Sequence, residues 1–323
     1  MARDRTSDST FLSKIAAGDK SAIRWGIVVV IVLCVGVWWA FRPRSMSVAQ
    51  TAGPNDVGAP ARNRATLTLA NGQQLILDGA PNGVLAIQGG VQILKGTDGQ
   101  VIYRADAQGS GELLYNTLNN PRGSIVVDAK LSDGSRVWLN AGSSLRCPAV
   151  FPSDDRTVDI TGEAYFEVAS DARRPFRVKN GNMVVNVLGT SFNIRTYNDD
   201  PLRRVTLVEG KVRVTCDNSL VLDAGDQAVV ENRAEVIKDV HLDAVMAWKN
   251  GLFSFSHTDL VSVMRELSCW YNVDITYENN MPDRYFTGVL DRMLTLDQLL
   301  KKLTDGRVHY SIDPGKRKLM IGP

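Results

Sequence analysis

Two glutamates are the first residues of this sequence whose spacing could support chemistry. Glu163 and Glu167 lie in GEAYFEV, a segment with the pattern of a β-strand. Residues i and i+4 of a strand point to the same face, so this pair could act as two carboxylates on one substrate. In the favoured alternative, one glutamate binds buried backbone groups or pairs with an arginine such as Arg173, Arg174 or Arg177.

A glycine–threonine pair is the second candidate. Gly189 and Thr190 lie between two predicted strands in VLGTSF. A threonine hydroxyl can attack the preceding carbonyl carbon when the backbone is strained, and the resulting ester is then cleaved by water. Such an attack needs an activating base, which the sequence does not reveal. From the spacing alone, an ordinary tight turn is the favoured interpretation.

Motifs of known enzyme classes are absent from the sequence. His241, His257 and His309 stand alone, without a partner at metal-ligand spacing. There is no P-loop, no Rossmann fingerprint and no G-x-S-x-G motif. A net charge of +2 gives no general attraction to nucleic acid. We therefore predict a protein-binding regulator without enzyme activity, metal or cofactor, apart from possible cleavage of its own chain at Gly189–Thr190.

The cysteines leave two interpretations open. Cys34 lies in an apolar segment, where a thiol behaves as a small apolar group. The other three are Cys147, Cys216 and Cys269, and none forms a C-x-x-C pair. A Cys147–Cys216 disulfide is one interpretation, and buried free thiols are the favoured one.

The apolar segment itself predicts a membrane anchor. Residues 25–41 read WGIVVVIVLCVGVWWAF, without a charge or a proline. A helix of this length spans about 25 Å, close to the roughly 30 Å of a hydrocarbon core. Trp25, Trp38, Trp39 and Phe41 place aromatic rings near its ends, as membrane interfaces favour. The less favoured alternative is a cleaved signal peptide.

Basic residues set the expected orientation of this anchor. Several precede it in residues 1–24, whereas only Arg42 and Arg44 follow it closely. The positive-inside rule then places residues 1–24 in the cytoplasm and the bulk of the chain on the far side of the membrane, with one pass through the bilayer. Residues 42–64, rich in alanine, proline, glycine and serine, are expected to form a flexible linker.

Residues 65–247 are predicted to form a mainly β domain. Short alternating segments are separated by turns throughout this region. Ala65–Asp78 and Asp128–Asn140 each contain a polar–glycine turn between two strands, and they align without gaps. We interpret them as an internal repeat within a β-solenoid or roll.

Residues 248–323 change to a helical period and predict a small α+β domain. A helix is expected near Leu260–Tyr271, and the T-x-x-Q capping box at Thr295–Gln298 starts another. The expected order is βαββαββ, a βαββαβ-like core whose helices cover one face of a single sheet. A free sheet edge would then be open to strand addition by a partner.

Four segments share their wording with one known family: LSDGSRVWLNAGSSL (131–145), GEAYFEVASDARRPFRV (162–178), VLGTSFNIRTY (187–197) and LVEGKVRV (207–214). They resemble the FecR family of transmembrane anti-sigma factors, in its Bacteroidetes form. The tail from about Asn250 is similar to the C-terminal domain of these proteins, which itself resembles the short N-terminal domain of secretins and TonB-dependent receptors. The resemblance covers residues 64–323.

The resemblance implies a signalling role for a protein that crosses the inner membrane once, with its N-terminus in the cytoplasm and its bulk in the periplasm. In this family, an outer-membrane TonB-dependent transporter presents its N-terminal domain to the exported regulator. The regulator in turn controls an extracytoplasmic-function sigma factor through its cytoplasmic region. Some members cleave themselves at a Gly-Thr bond, which corresponds to Gly189–Thr190.

One departure from the family pattern concerns the N-terminal tail. Relatives carry a longer cytoplasmic region than residues 1–24. We therefore keep a second hypothesis, a membrane-tethered periplasmic adaptor or scaffold that has lost sigma-factor control.

Overall fold

The computed structural model describes residues 52–105, 113–279, 281, 283–304 and 308–323. The predicted cytoplasmic tail and the predicted membrane segment, with Trp25, Trp38, Trp39 and Phe41, lie outside these residues. Within the described part of the chain, no helix combines the length and the apolar character needed to cross a bilayer.

Eighteen strands build the body of the described chain. They are β1 (Thr66–Thr68), β2 (Gln74–Ile76), β3 (Gly83–Gln88), β4 (Val91–Lys95), β5 (Val101–Ala105), β6 (Tyr115–Asn120), β7 (Val127–Lys130), β8 (Arg136–Leu139), β9 (Ser143–Pro148), β10 (Arg156–Glu167), β11 (Phe176–Asn180), β12 (Met183–Val187), β13 (Ser191–Thr196), β14 (Arg203–Glu209), β15 (Val212–Thr215), β16 (Ser219–Leu222), β17 (Gln227–Val230) and β18 (Ala234–Ile237).

The strands form two ladders that share β10. The first ladder runs β2-β1-β6-β9-β10-β11-β12-β15-β16. The second runs β3-β4-β5-β7-β8-β10-β13-β14-β17-β18. From β11 onward, consecutive strand pairs alternate between the two ladders, so every hairpin adds to the same core.

Strand β10 passes from one ladder to the other at Gly162. Its first half pairs with β9 and β11, and its second half pairs with β8 and β13. Gly162 has a φ of +84°, and a Cβ there would lie 2.6 Å from the Cα of Ser143. The sequence pattern predicts two separate strands here, but glycine lets one strand continue through the bend.

One apolar core lies between the ladders. Buried residues of both ladders belong to a single cluster. Phe166 of the second ladder packs against Phe176 of the first, with ring centroids 6.1 Å apart, and stacks on Phe192 at 5.2 Å. The prediction of a mainly β body is confirmed, while its description as a solenoid or roll stays a prediction.

The C-terminal region follows the predicted order. A short helix α1 (Leu242–Val245) and a 3₁₀ turn (Ala247–Asn250) lead into it. Its elements are β19 (Leu252–Asp259), α2 (Leu260–Tyr271), β20 (Asp274–Tyr277), β21 (Tyr285–Asp291), α3 (Leu296–Thr304), β22 (His309–Asp313) and β23 (Lys318–Gly322).

The capping box and the sheet of this region have different outcomes. The Thr295 N–H donates to Gln298 Oε1 at 3.1 Å, and the Gln298 N–H donates to Thr295 Oγ1 at 3.4 Å, as predicted. The expectation of one sheet is wrong. Strand β19 pairs with β21, whereas β20 pairs with β23 in a separate sheet of order β20-β23-β22.

Part of the predicted linker is docked. We call residues 56–64 the strap. Val57 is only 2% exposed, and its carbonyl accepts a hydrogen bond from the Leu296 N–H at 2.8 Å. Asp56 Oδ1 accepts from the Asp297 N–H at 2.9 Å, which satisfies a free donor of the first turn of α3. This differs from the expectation of a flexible linker, because the apolar Val57 finds a place in the C-terminal core.

Candidate functional site

The two sequence-predicted glutamates do not form a carboxylate pair. Glu167 is exposed, whereas Glu163 is buried where the body meets the C-terminal region, a site that we call the junction. Asn140 Nδ2 donates to Glu163 Oε2 at 2.9 Å, and Asn193 Nδ2 donates to Oε1 at 3.1 Å. Burial raises the pKa of Glu163 above its ordinary value, and the charge of Arg195 partly offsets this effect. The carboxylate is thus held by two asparagine side chains, which the alternative interpretation did not name, and it faces an arginine, as that interpretation proposed.

The arginine that faces Glu163 is Arg195, and the predicted partners Arg173, Arg174 and Arg177 are wrong. Arg174 and Arg177 pair instead with aspartates on their own side of the body. The error arose because the sequence shows which residues are neighbours along the chain, whereas Arg195 reaches Glu163 across the β10–β13 ladder.

Arg195 is the centre of an ionic network at the junction. Its Nη1 lies 3.7 Å from Glu163 Oε2 and 4.0 Å from Glu266 Oε2. Its Nε donates to Asp200 Oδ2 at 3.4 Å. Burial alone would lower the pKa of Arg195, but the carboxylates Glu163 and Glu266 raise it, so the guanidinium stays charged.

Asn140 and Arg292 connect the body to the C-terminal region. Arg292 Nη1 donates to Asn140 Oδ1 at 3.0 Å, its Nη2 donates to Glu266 Oε1 at 2.8 Å, and its Nε donates to the Leu252 carbonyl at 3.1 Å. The guanidinium lies over the rings of Phe253 and Trp270, with 4.6 and 4.9 Å to their centroids. A fully buried charge is thereby paired, hydrogen-bonded and stacked on aromatic faces.

The 3₁₀ turn before β19 contacts the body through an indole hydrogen bond and through a lysine that lies over aromatic rings. The Trp248 indole N–H donates to Asn193 Oδ1 at 3.1 Å. Lys249 Nζ lies 4.1 Å from the centroid of the Trp138 ring and 5.2 Å from that of Tyr165. Both rings belong to motifs by which the sequence resembles its family.

Two glycines allow the close approach of the two regions. A Cβ on Gly142 would lie 2.5 Å from Cys269 Sγ, and a Cβ on Gly123 would lie 2.8 Å from Asn272 Cβ. Both glycines have a φ of +69°. The Gly123 N–H also donates to the Cys269 carbonyl at 2.9 Å. Larger residues at either position would separate the surfaces.

A second buried ion pair organises the body away from the junction. Arg156 Nη1 lies 3.0 Å from Asp133 Oδ2, with side chains only 1% and 2% exposed. Arg156 also donates to the carbonyls of Ala169 and Arg174, both at 2.8 Å. Ser135 Oγ donates to Asp133 Oδ2 at 2.7 Å. The S-D-G-S turn is therefore the anchor for the loop after β10.

The Gly189–Thr190 bond lies just before β13. Thr190 Oγ1 donates to the Lys211 carbonyl at 3.1 Å, so in this arrangement the hydroxyl faces a backbone acceptor instead of a base. A Cβ on Gly189 would lie 2.7 Å from the Cα of Ser170, which explains the glycine by packing. Self-cleavage at this bond stays a prediction.

The described cysteines are all free thiols. Cys147, Cys216 and Cys269 form no disulfide, so the Cys147–Cys216 interpretation is wrong. Burial raises the pKa of Cys147 to about 12 and that of Cys269 to about 11. Because a thiolate is the reactive form, both groups are inert near neutral pH.

The histidines lie apart from one another on different elements. His257 stacks on Tyr285 with ring centroids 4.2 Å apart, His241 precedes α1, and His309 begins β22. Among the residues that the structure describes, no group of three or more histidine, cysteine, aspartate or glutamate side chains could hold a metal ion.

Sequence reasoning missed the junction residues Asn140, Arg195 and Arg292. Asn140 and Arg292 are separated by 152 positions, and no local period relates them. The available signal was the asparagine that ends the V-W-L-N motif, a polar residue following an apolar strand. Such a residue is buried only when a partner satisfies it.

Comparison with known proteins gives matches on both sides of the junction. The family model described as FecR protein matches residues 122–213, and the model described as FecR, C-terminal matches residues 252–318. Asn140 and Arg195 lie in the first match, and Glu266 and Arg292 lie in the second.

Two crystal structures of a candidate anti-sigma factor from Parabacteroides distasonis are similar to this chain. They share 31% and 30% sequence identity with it, and both superpose with a TM-score of 0.59. Each covers 64% of this chain, and the chain covers 97% and 98% of theirs. No curated protein matches the chain.

Proposed function

The chain belongs to the FecR family, and from this membership we propose that it is an anti-sigma factor that relays a signal from an outer-membrane TonB-dependent transporter to an extracytoplasmic-function sigma factor. The observation that carries the proposal is the joint presence of both family segments, connected by a buried polar network. Its action is regulatory and consists of binding other proteins, not of catalysis.

The proposed topology follows from the N-terminal sequence. Residues 25–41 cross the inner membrane once, residues 1–24 face the cytoplasm and bind the sigma factor, and the rest lies in the periplasm. The support is the uncharged apolar segment and the excess of basic residues before it.

The C-terminal region offers a docking place for the transporter's N-terminal domain. In the described structure, β21 pairs only with β19, so its other edge is open to strand addition. Val289 and Tyr285 of β21 are 63% and 55% exposed, an apolar surface beside that edge. Main-chain hydrogen bonds would supply affinity, and the two side chains would supply specificity.

The strap and the junction could transmit the effect of transporter binding to the membrane segment and to the body, respectively. Val57 packs in the same apolar cluster as Phe253 of β19 and Leu299 of α3. In the proposed topology, the strap leads back to the membrane segment. Binding of the transporter domain at β21 would therefore affect the same apolar core in which the strap is packed. Through Arg292 and Asn140, the same core is bonded to the body.

Co-purification tests the proposal. The full-length tagged chain is cross-linked in cells of its own host, purified from membranes, and its partners are identified by mass spectrometry. We expect a sigma factor and a TonB-dependent transporter. Val289→Asp should lose the transporter and keep the sigma factor, because a charge on the exposed face blocks docking without disturbing the core.

The matched control is Ile87→Asp on β3, where Ile87 is 71% exposed and far along the chain from β21. It should retain both partners. Recovery of the transporter without any sigma factor would favour the membrane-tethered adaptor instead. Recovery of neither partner would overturn the proposal.

A further inference from the structure

A pocket of about 310 Å³ opens at the junction. Four arginines line it: Arg122 and Arg195 from the body, and Arg265 and Arg292 from the C-terminal region. We propose that this pocket binds a small organic molecule through one oxyanion group, a carboxylate or a phosphate. This binding activity goes beyond the relay of a signal between proteins.

Two of the four arginines already hold neighbouring groups and form the walls. Arg292 uses all of its nitrogens in hydrogen bonds to Asn140, Glu266 and the Leu252 carbonyl. Arg122 Nη2 donates to Ser268 Oγ at 2.9 Å and to the carbonyls of Ser268 and Val273, and its Nη1 donates to Asp274 Oδ1 at 3.1 Å. Its Nε is buried and has no partner among the described residues. These two hold the shape of the pocket and leave few donors for a ligand.

The other two arginines have open donors. Within the described residues, Arg195 makes one hydrogen bond, to Asp200, and Arg265 makes none. The closest ion-pair contact of Arg265 joins its Nε to Asp199 Oδ2 at 3.6 Å, and Asp199 itself is largely exposed. Both arginine side chains are less than one-fifth exposed, at 17% and 16%. Guanidinium groups so enclosed normally have their N–H groups filled.

The chemistry of these donors selects the ligand class. A guanidinium presents parallel N–H groups that match the two oxygens of a carboxylate or phosphate. The charge of Arg195 is already balanced by Glu163, Asp200 and Glu266, so the pocket attracts an anion through open donors and not through excess charge. The pocket therefore suits a ligand that carries a single oxyanion group.

The rest of the pocket suits a small organic body. Tyr197, Cys269 and Trp270 contribute to its lining. Its volume lies at the lower end of small-molecule sites, which span about 300–1,000 Å³. Because Arg195 lies on β13 and Arg265 lies on α2, a bound anion would bridge the two regions and stabilise the junction.

Binding of butyrate, a monocarboxylate, and of inorganic phosphate to the purified full-length chain tests this assignment. Each is titrated by calorimetry and by thermal unfolding, against sodium chloride of equal ionic strength. We expect saturable binding and a rise in unfolding temperature with at least one probe. Arg265→Gln should weaken it by about ten-fold or more, the usual effect of losing a charged hydrogen bond.

Two further variants keep the test decisive. Asp199→Asn removes the carboxylate that competes for Arg265, and it should tighten binding. Arg213→Gln removes an exposed charge on β15 and should leave binding unchanged. Binding of butyrate alone assigns a carboxylate ligand, and binding of phosphate alone assigns a phosphate ligand. The assignment is overturned if neither probe saturates, or if Arg265→Gln and Arg213→Gln respond alike.

Discussion

The hairpins β1–β2 and β7–β8 have the same turn and different surroundings. The Leu69 N–H donates to the Gln73 carbonyl at 2.8 Å, as the Leu131 N–H does to the Ser135 carbonyl at 2.8 Å. Gly72 and its counterpart in the second turn have φ values of +83° and +88°. The local pattern therefore determines the local backbone in both copies.

The polar residues of the two hairpins differ in burial. Asn71 is exposed, whereas the aligned Asp133 is buried against Arg156. Asp78 is 42% exposed and lies 3.9 Å from an arginine, whereas the aligned Asn140 is buried at the junction. The same repeat unit is thus an exposed hairpin in the first copy, whereas in the second copy its polar residues hold buried partners from distant parts of the chain.

The largest contrast is expected between Asp133→Ala and Asn71→Ala. Removing Asp133 leaves the buried guanidinium of Arg156 without its counter-charge, which should cost about 3–5 kcal/mol of unfolding free energy. Replacing the exposed Asn71 should change the free energy of unfolding by no more than about 0.5 kcal/mol. Urea unfolding of the full-length variants measures both, and equal losses would show that the two turns are energetically equivalent after all.

A smaller contrast is expected between Asn140→Ala and Asp78→Ala. Loss of Asn140 removes one hydrogen bond from Glu163 and one from Arg292. Each bond to a charged group contributes about 1.5–3 kcal/mol to the free energy of unfolding. The exposed ion pair of Asp78 is worth about 0–1 kcal/mol.

Hydrogen exchange locates this effect as well as sizing it. Amides of α2 and β21 should exchange faster in Asn140→Ala and at the wild-type rate in Asp78→Ala. Unchanged exchange at both elements would contradict a structural role of Asn140 at the junction.

The smallest contrast is expected among Gly72→Ala, Gly99→Ala and Gly134→Ala, whose losses should be equal to one another. All three glycines have a φ between +83° and +88° with open space at the Cβ position. Only the left-handed backbone then opposes a side chain, at about 1–2 kcal/mol. Thermal unfolding of the three variants should agree closely, and a much larger loss at Gly134 would show that the buried ion pair depends on the turn backbone.

Gly99 belongs to a third copy of this turn that sequence comparison missed. The Gly96 N–H donates to the Gln100 carbonyl at 2.8 Å, as in the other two turns. Here the first position holds Gly96 where the other copies have a leucine, so one apolar position of the repeat is lost. The backbone geometry survives because it depends on the Asp98–Gly99 step.

Elements with a local cause could be predicted from the sequence. The helix Leu260–Tyr271 follows from apolar spacing, and the start of α3 follows from Thr295 and Gln298. Strands β6 (YNTLNN) and β9 (SSLRCP) were missed, because polar residues such as Asn116 and Asn120 occupy their buried positions. Their hydrogen-bond partners come from distant strands, which no local pattern shows.

The candidate site was less predictable for the same reason. Glu163 was recognised as a residue needing a partner, but its partners lie directly after β8 and on β13. The sequence shows that a carboxylate in a buried strand requires a polar partner. Which side chain becomes that partner depends on the topology of the fold. The family resemblance located the segments that carry these residues and did not assign their contacts.

The docking of Val57 also fixes a length. In the proposed topology, residues 57–64 add no length to the tether while Val57 stays packed in the C-terminal core. Freed from α3 and drawn out, they would span about 25–30 Å. If the proposed topology holds, breaking the bond between the Leu296 N–H and the Val57 carbonyl would lengthen the tether between the membrane and the folded domains.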